Sequence, residues 1–314
     1  MPLNKNDNLN CYFNIIYENE KSIKPEISND ENEALMENNE LSLNPHLITF
    51  NNDSFSIERG YNFSIIIAVY NTGQYLYETI DSLIGQDLSF EDNVQLILVD
   101  DGSADNSKEI CLNYQEQYPE NIIVLSQTNS GQAVARNNGL NYAKGKYINF
   151  LDSDDYLSEN TLDTVLRFFN NNEKEIDMVA MPIKMFGRLN KYHILQGKFH
   201  RERVIDLNVE PNNPQLSASS AFFKKHLFPK FKFAEDMITS EDSIMINKIL
   251  LEKQKYGVIN SATYYYRKRF DSSSTIDNSI RQKEFYTEKI KNYFMALEEY
   301  SFDLIYKILF FFIV

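Results

Sequence analysis

The sequence predicts an α/β fold, with a mostly parallel central sheet flanked by helices and a helical tail at the carboxyl end. Three observations carry that prediction. From residue 61 onward, apolar runs rich in β-branched residues recur, as in strands covered on both faces. Between them lie stretches of ten to fifteen residues with apolar positions at helical spacing. The two types alternate, which implies right-handed βαβ units and a parallel sheet.

The first strand is 63-FSIIIAVY-70, and the helix after it, 71–86, places Leu76, Ile80, Leu83 and Ile84 on one face. Then 95-QLILVD-100 reads as strand and 106–118 as helix, stopped by Pro119. The alternation continues with strand 122-IIVLSQ-127, a helix over 131–143 and strand 146-KYINFL-151. A helix over 160–170 carries Leu162, Val165, Leu166 and Phe169 on one side, and 176-IDMVAMPI-183 returns as strand. Beyond residue 184 the pattern thins. The run 216-LSASSAFFKKHLF-228 holds a strand and a turn, and 240-SEDSIMINKILLEK-253 is a helix with Ile244, Met245, Ile249 and Leu250 inward. Strand 258-VINSATYYYR-267 leads into a basic, serine-rich loop, 267-RKRFDSSST-275, and then the helical tail.

Residues 1–60 differ in character. They hold eleven acidic against four basic residues, are rich in Asn and lack apolar periodicity. A solvated, partly disordered extension is the expectation; a short helical adaptor using Ile15, Ile16, Leu35, Met36 and Leu41 is the rival. The net charge of −14 excludes a general nucleic-acid binder, whose affinity comes from Lys and Arg on phosphates. It does not exclude a phosphate-bearing ligand, because a bound divalent cation inverts the local charge. Cys11 and Cys111 form neither a disulfide framework nor a zinc spacing, which suits a reducing cytosol. No basic stretch followed by an apolar run opens the chain. The apolar end, 305-IYKILFFFIV-314, has about half of the ~20 residues that span a bilayer. It is expected to meet a partner or the inner face of a membrane, or to continue into further chain.

In parallel sheets ligands bind beyond the carboxyl ends of the strands. That rule puts Tyr70, Asp100, Asp101, Gln127 and the acids of 152-DSDD-155 along one edge. Hard cations such as Mg²⁺ and Mn²⁺ favour carboxylate oxygens and complete their shells with water and substrate phosphates. Asp152-Ser153-Asp154 therefore suits a bridge between protein and a nucleotide diphosphate, although turn acids ahead of the helix at 160 would look the same. The pair Asp100-Asp101 ends another strand, where an aspartate accepts hydrogen bonds from a base or a ribose as readily as it shapes a turn.

The order and spacing of 63-FSIIIAVYNTGQYLYETIDSLIGQ-86, 97-ILVDDGSADNS-107, 130-SGQAVARNNGL-140 and 146-KYINFLDSDDYL-157 resemble the family 2 glycosyltransferases of GT-A fold. The resemblance spans about residues 61 to 275, with 61–183 as donor half and 184–275 as acceptor half, leaving 276–314 as a helical segment. It implies a nucleotide-binding turn at Ala68-Val69-Tyr70-Asn71, where Ala68 replaces the family's common Pro and Tyr70 lies near the base. It implies further that Asp101 meets the uracil ring and that Arg136 lies beside base and diphosphate, unless Arg136 is a helix-surface residue. Asp152 would face the ribose and metal waters, Asp154 would ligate Mn²⁺ or Mg²⁺, and Asp155 would bind backbone. In the acceptor half Glu241-Asp242 matches the family's acidic pair, with Asp242 as general base; Thr239-x-x-Asp242 also fits a capping box. Glu235-Asp236 is the alternative pair if the register shifts. Arg267, Arg269 and Ser273 resemble a loop that closes over the diphosphate. The implied activity is inverting, metal-dependent transfer from a UDP-sugar to a glycan or lipid-linked acceptor in surface polysaccharide synthesis, with no nucleic-acid partner. The alternatives are a silent GT-A binding module and, because of 149-NFLDSDDYL-157, a haloacid-dehalogenase-like phosphohydrolase.

Overall fold

A computed structural model of the chain describes residues 46–51, 54–215, 217–228, 230–235 and 241–269. Two strands, β1 (His46–Asn51) and β2 (Ser54–Arg59), pair antiparallel as a hairpin. No strand was expected there, because this part of the extension is short and lacks flanking helical patterns.

The alternating region folds as its pattern requires. The apolar runs become β3 (Phe63–Val69), β4 (Val94–Asp100), β5 (Ile122–Ser126) and β6 (Tyr147–Phe150), which pair in parallel. Helices α1 (Gly73–Ile84), α2 (Phe90–Asn93), α3 (Ser107–Gln117) and α4 (Gln132–Leu140) connect them. Period-two alternation sends Phe63, Ile65, Ile67 and Val69 into one apolar cluster with Leu76, Ile80 and Leu83 of α1. Ile66 joins the opposite cluster with Ala133 and Ala135 of α4. Gly145 allows the last crossover to close: a Cβ there would lie 2.4 Å from both Phe63 C and Ser64 N.

After β6 come β7 (Tyr156–Leu157), α5 (Thr161–Asn171), β8 (Met178–Ala180), β9 (Ile183–Gly187) and β10 (Lys191–Tyr192). Then follow β11 (Arg203–Asp206), β12 (Ala221–Lys224), α6 (Glu241–Lys253), β13 (Lys255–Val258) and β14 (Tyr264–Lys268). The main sheet has eight strands in the order β11-β13-β8-β12-β6-β3-β4-β5. Strand β12 runs antiparallel between β6 and β8, an insertion that its short apolar run did not announce. The expected single strands at 176–183 and 258–267 each divide in two, and their second halves, β9 and β14, leave the main sheet. They form a four-stranded sheet, β10-β9-β14-β7, which lays β14 beside the turn after β6. Strand β3 has β4 on one side and β6 on the other, so the order of connection reverses there. The carboxyl ends of β3, β4 and β6 flank that crevice, where ligands bind in open α/β sheets.

Candidate functional site

The turn after β3 is braced by its neighbour. Asn71 takes a left-handed conformation (φ 52°), and its Oδ1 accepts the Ala104 N–H at 2.8 Å. The first N–H groups of α1 lack helical partners; that of Gly73 donates to Asp105 Oδ2 at 3.0 Å. Ala68 sits in β3 opposite Val99, and Tyr70, just past the strand end, is half exposed. Gly102 (φ 76°) makes the turn after Asp101 against the Asn129 backbone, where a side chain would be strained.

Asp101 is buried and its carboxylate is engaged. Oδ1 accepts from Gln127 Nε2 at 2.9 Å and from the Ser130 N–H at 2.8 Å; Oδ2 accepts the Gly131 N–H at 2.9 Å. It therefore anchors the amino end of α4. That helix in turn presents Gln132 and Arg136 to the acids after β6. Arg136 is 3% exposed and is no surface residue. Its Nη2 donates to Asp152 Oδ1 at 2.6 Å and its Nη1 to Glu241 Oε1 at 3.1 Å, with the guanidinium 5.1 Å from the Phe233 ring centre.

The three acids of the 152–155 turn have separate surroundings. Asp152 Oδ1 also accepts from Gln132 Nε2, and Oδ2 from the hydroxyls of Ser219 at 3.1 Å and Tyr264 at 3.3 Å. Asp155 is fully buried and structural: Oδ1 accepts the Arg267 N–H at 2.7 Å and Oδ2 the Tyr264 hydroxyl. Burial, then the charges of Asp152 and Asp154, push its pKa far up. Asp154 pairs with Arg269 Nε at 2.9 Å. Burial and the neighbouring Asp152 nevertheless push its carboxyl up to about 6.

Strand β14 and the residue that follows it supply the basic residues. Arg267 donates through Nε to Asp154 O at 2.8 Å, pairs with Glu78, and lies over the rings of Tyr75 and Phe186. Arg269 also stacks over Tyr75. Both basic residues thus converge on Asp154, and Arg267 is already spent on protein partners. Ser273 lies outside the described residues.

Helix α6 opens with Glu241 and Asp242. Asp242 Oδ1 accepts the Ser243 N–H at 2.6 Å, the Ala218 N–H supplies another bond, and the residue as a whole is partly buried. Burial raises the pKa of Asp242, with Arg136 pulling it back; burial and Asp242 raise that of Glu241. Thr239, which the capping box needs, lies outside the described residues, as does Asp236. Glu235 accepts from Asn137 Nδ2 at 2.9 Å, a bond that ties its segment to α4.

The structure thus brings Arg136, Asp152, Asp154, Arg269 and Asp242 to one place and leaves Asp101 and Tyr70 at the neighbouring strand ends. It adds Gln132, Ser219 and Tyr264, which hold Asp152. Ser219 lies in a serine-rich turn and Tyr264 in an aromatic strand, so neither carries a signal that separates it from its neighbours. Hard oxygen donors at Asp152 and Asp154 fit a divalent cation of the Mg²⁺ or Mn²⁺ class. Both oxygens of Asp152 already accept bonds, whereas Asp154 is paired through Oδ2 with Arg269. Among the described residues no group of three His, Cys, Asp or Glu gathers as a complete ligand set. No helix among them is long and apolar enough to cross a membrane, and the apolar end at 305–314 lies outside them.

Comparison with known proteins bears on the family and the fold. A family model described as glycosyl transferase family 2 matches residues 64–231. The minor teichoic acid biosynthesis protein GgaB of Bacillus subtilis is 41% identical over 230 residues, 73% of this chain and 25% of that protein. GgaA of the same organism is 36% identical over 245 residues, 77% of this chain and 55% of that one. The chain thus spans between a quarter and about half the length of these relatives. A crystal structure of S. aureus TarS, residues 1–349, in complex with UDP-GlcNAc shares the fold. Its TM-score is 0.65 at 24% identity, covering 78% of this chain and 69% of that one.

Proposed function

Because the chain belongs to glycosyltransferase family 2, we propose that it moves a sugar, with inversion, from a UDP-sugar to a hydroxyl of a glycan or lipid-linked acceptor in surface polysaccharide synthesis of the teichoic acid kind. The observation that carries this reading is the Arg136 guanidinium, held between Asp152 of the donor side and Glu241 of the acceptor side. It sets the acidic turn and Glu241, the chain neighbour of Asp242, on the same buried cation.

In this reading the base and ribose of the donor occupy the crevice beyond β3 and β4, beside Tyr70 and the Asp101 turn. Asp154 would hold a divalent cation, and Asp152, fixed by Arg136, would face the ribose and help to hold that cation. That cation, when bound, neutralises charge growing on the departing diphosphate. Asp242 takes the proton from the acceptor hydroxyl as its oxygen attacks the anomeric carbon; the bond from that carbon to the UDP oxygen breaks on the opposite face. Arg269, already at Asp154, is placed to meet the diphosphate, while Arg267 fixes the turn from below. The work is cytoplasmic, where UDP-sugars are made.

The test is a pair of titrations and a rate. UDP should bind in the presence of Mn²⁺, lose affinity in EDTA, and fail to bind Asp154→Ala. Asp242→Asn should lower turnover by ~10²–10⁴-fold, the usual contribution of a general base, with UDP affinity intact. Donor affinity that fell together with turnover would remove Asp242 from the base role. UDP binding without transfer to any acceptor would favour a silent binding module.

A further inference from the structure

Helix α4 is seated tightly on the main sheet. Gly139 lies against β3 and β4, where a Cβ would come 2.6 Å from Ile66 Cγ2 and 3.3 Å from Val99 Cγ2. Ala133 and Ala135 join the same apolar cluster. Packing this close leaves a helix little freedom to shift, which makes it a rigid mount. Two adjacent polar residues, Arg136 and Asn137, are buried on it. The first joins Asp152 to Glu241; the second has no part in the reading so far.

Asn137 is 6% exposed and devotes its amide to one short segment of the acceptor half. Its Oδ1 accepts the Phe233 N–H at 3.1 Å, and its Nδ2 donates to Phe233 O at 2.9 Å. The side-chain amide thus pairs with Phe233 as one strand residue pairs with its neighbour. Nδ2 also donates to Glu235 Oε1 at 2.9 Å. Among the described residues no backbone–backbone hydrogen bond holds 232–235, so this amide stands in for a ladder. An apolar residue could fill the space, but hydrogen bonds are directional and fix register as well.

The ring that follows from this clamp lies beneath Arg136. Phe233 is buried, and its ring stands edge-on to that of Phe150, the last residue of β6, at 4.7 Å and 88°. The Arg136 guanidinium lies 5.1 Å from the Phe233 ring centre, within reach of a cation–π contact. We propose that Asn137 is a positioning residue: by clamping the Phe233 backbone it sets the ring that supports Arg136, and with it the spacing of Asp152 from the Glu241–Asp242 pair. It acts through Phe233 and Arg136, not on the reacting atoms. Its effect on turnover rests on the reading of Asp242 as the base. A residue that only closed the core would leave the contacts of Arg136 indifferent to its loss.

The test is the coupling between Arg136 and Glu241, read by urea denaturation of wild type, Arg136→Met, Glu241→Gln and the double variant. The same four chains are then made with Asn137→Ala, and again with Phe233→Leu, which keeps the backbone bonds and removes the ring. The coupling should fall about twofold or more in each background. With UDP-GlcNAc as the donor probe, Asn137→Ala should slow release of UDP by ~10-fold or more, since a misplacement of about 1 Å can cost ~10²-fold. UDP affinity in Mn²⁺ should stay within about twofold, as for independent sites. Equal coupling with and without Asn137→Ala would make the residue a strut and overturn the proposal. So would a rate that is unchanged, or one that falls only in step with UDP affinity. If Asn137→Ala does not fold, Phe233→Leu decides by the same coupling. A wild-type chain that neither binds UDP nor releases it from UDP-GlcNAc would count against the donor reading instead, because the coupling is measured without ligand.

Discussion

Asp154→Asn is expected to make the metal-free chain more stable. Asp154 is 15% exposed and lies two residues from Asp152. Burial first, and then the Asp152 charge, move its pKa from 3.8 up to about 6 despite Arg269. A carboxyl raised by folding costs nothing below its unfolded pKa, where both states carry the proton. Stability is then lost as the pH climbs from 3.8 through about 6, because the folded chain must hold an ionised group that it disfavours. A gap of about two pH units at 1.36 kcal/mol each comes to ~3 kcal/mol at about pH 8. Asparagine has nearly the shape of the protonated acid and carries no charge, so it should recover most of that; the lost Arg269 attraction is already inside the net shift. In urea denaturation with EDTA, the variant should exceed wild type by ~3 kcal/mol at about pH 8 and by ~1 kcal/mol at about pH 4.5. Added Mn²⁺ should narrow the gap, since only wild type gains from binding it. A variant less stable than wild type at the higher pH, or a gap that ignores pH, would refute the reasoning.

Arg136→Met leaves Asp152 and Glu241 facing each other without their cation, and should cost ~3–5 kcal/mol in a denaturation titration. Adding Glu241→Gln should return part of that loss, since the two residues are in contact. The pH–rate profile should show its acid limb above the ordinary carboxylate range of about 4, because burial raises Asp242 and a base must be ionised to act. An acid limb at the usual carboxylate value would place the base elsewhere. Gly145→Ala should cost ~3 kcal/mol or more, visible as lost soluble yield or a lowered Tm, since the new Cβ meets backbone that cannot move aside.

How much of this could be read from the sequence depends on the range of the interaction. Strands β3 to β6 and their helices follow from apolar periodicity, which is local. Strand β12 does not: four residues, three of them apolar, fit an edge, a centre or a loop, and only its pairing with β6 and β8 decides. Strand β14 was read as the continuation of β13, because nothing local says that the chain changes sheets at residues 259–263. The acids at the strand ends were legible as a site because topology alone brings strand ends together. Their partners were not. Ser219 and Tyr264 reach Asp152 from 67 and 112 residues away, and neither residue type signals that role.

Arg136 marks the same boundary more sharply. From its motif it belongs beside the nucleotide; in the fold both ends of its guanidinium are taken by carboxylates 16 and 105 residues away. Asp101 fixes the amino end of α4, α4 carries Arg136, and Arg136 fixes Asp152 and Glu241, which adjoins Asp242. The path from the Asp101 turn to the Glu241–Asp242 pair is therefore one run of hydrogen-bonded groups that passes through a single short helix. Such a run answers part of the repulsion among the acids: Arg136 stands between Asp152 and Glu241, whereas burial and their neighbours hold the pKa values of Asp154 and Asp155 up.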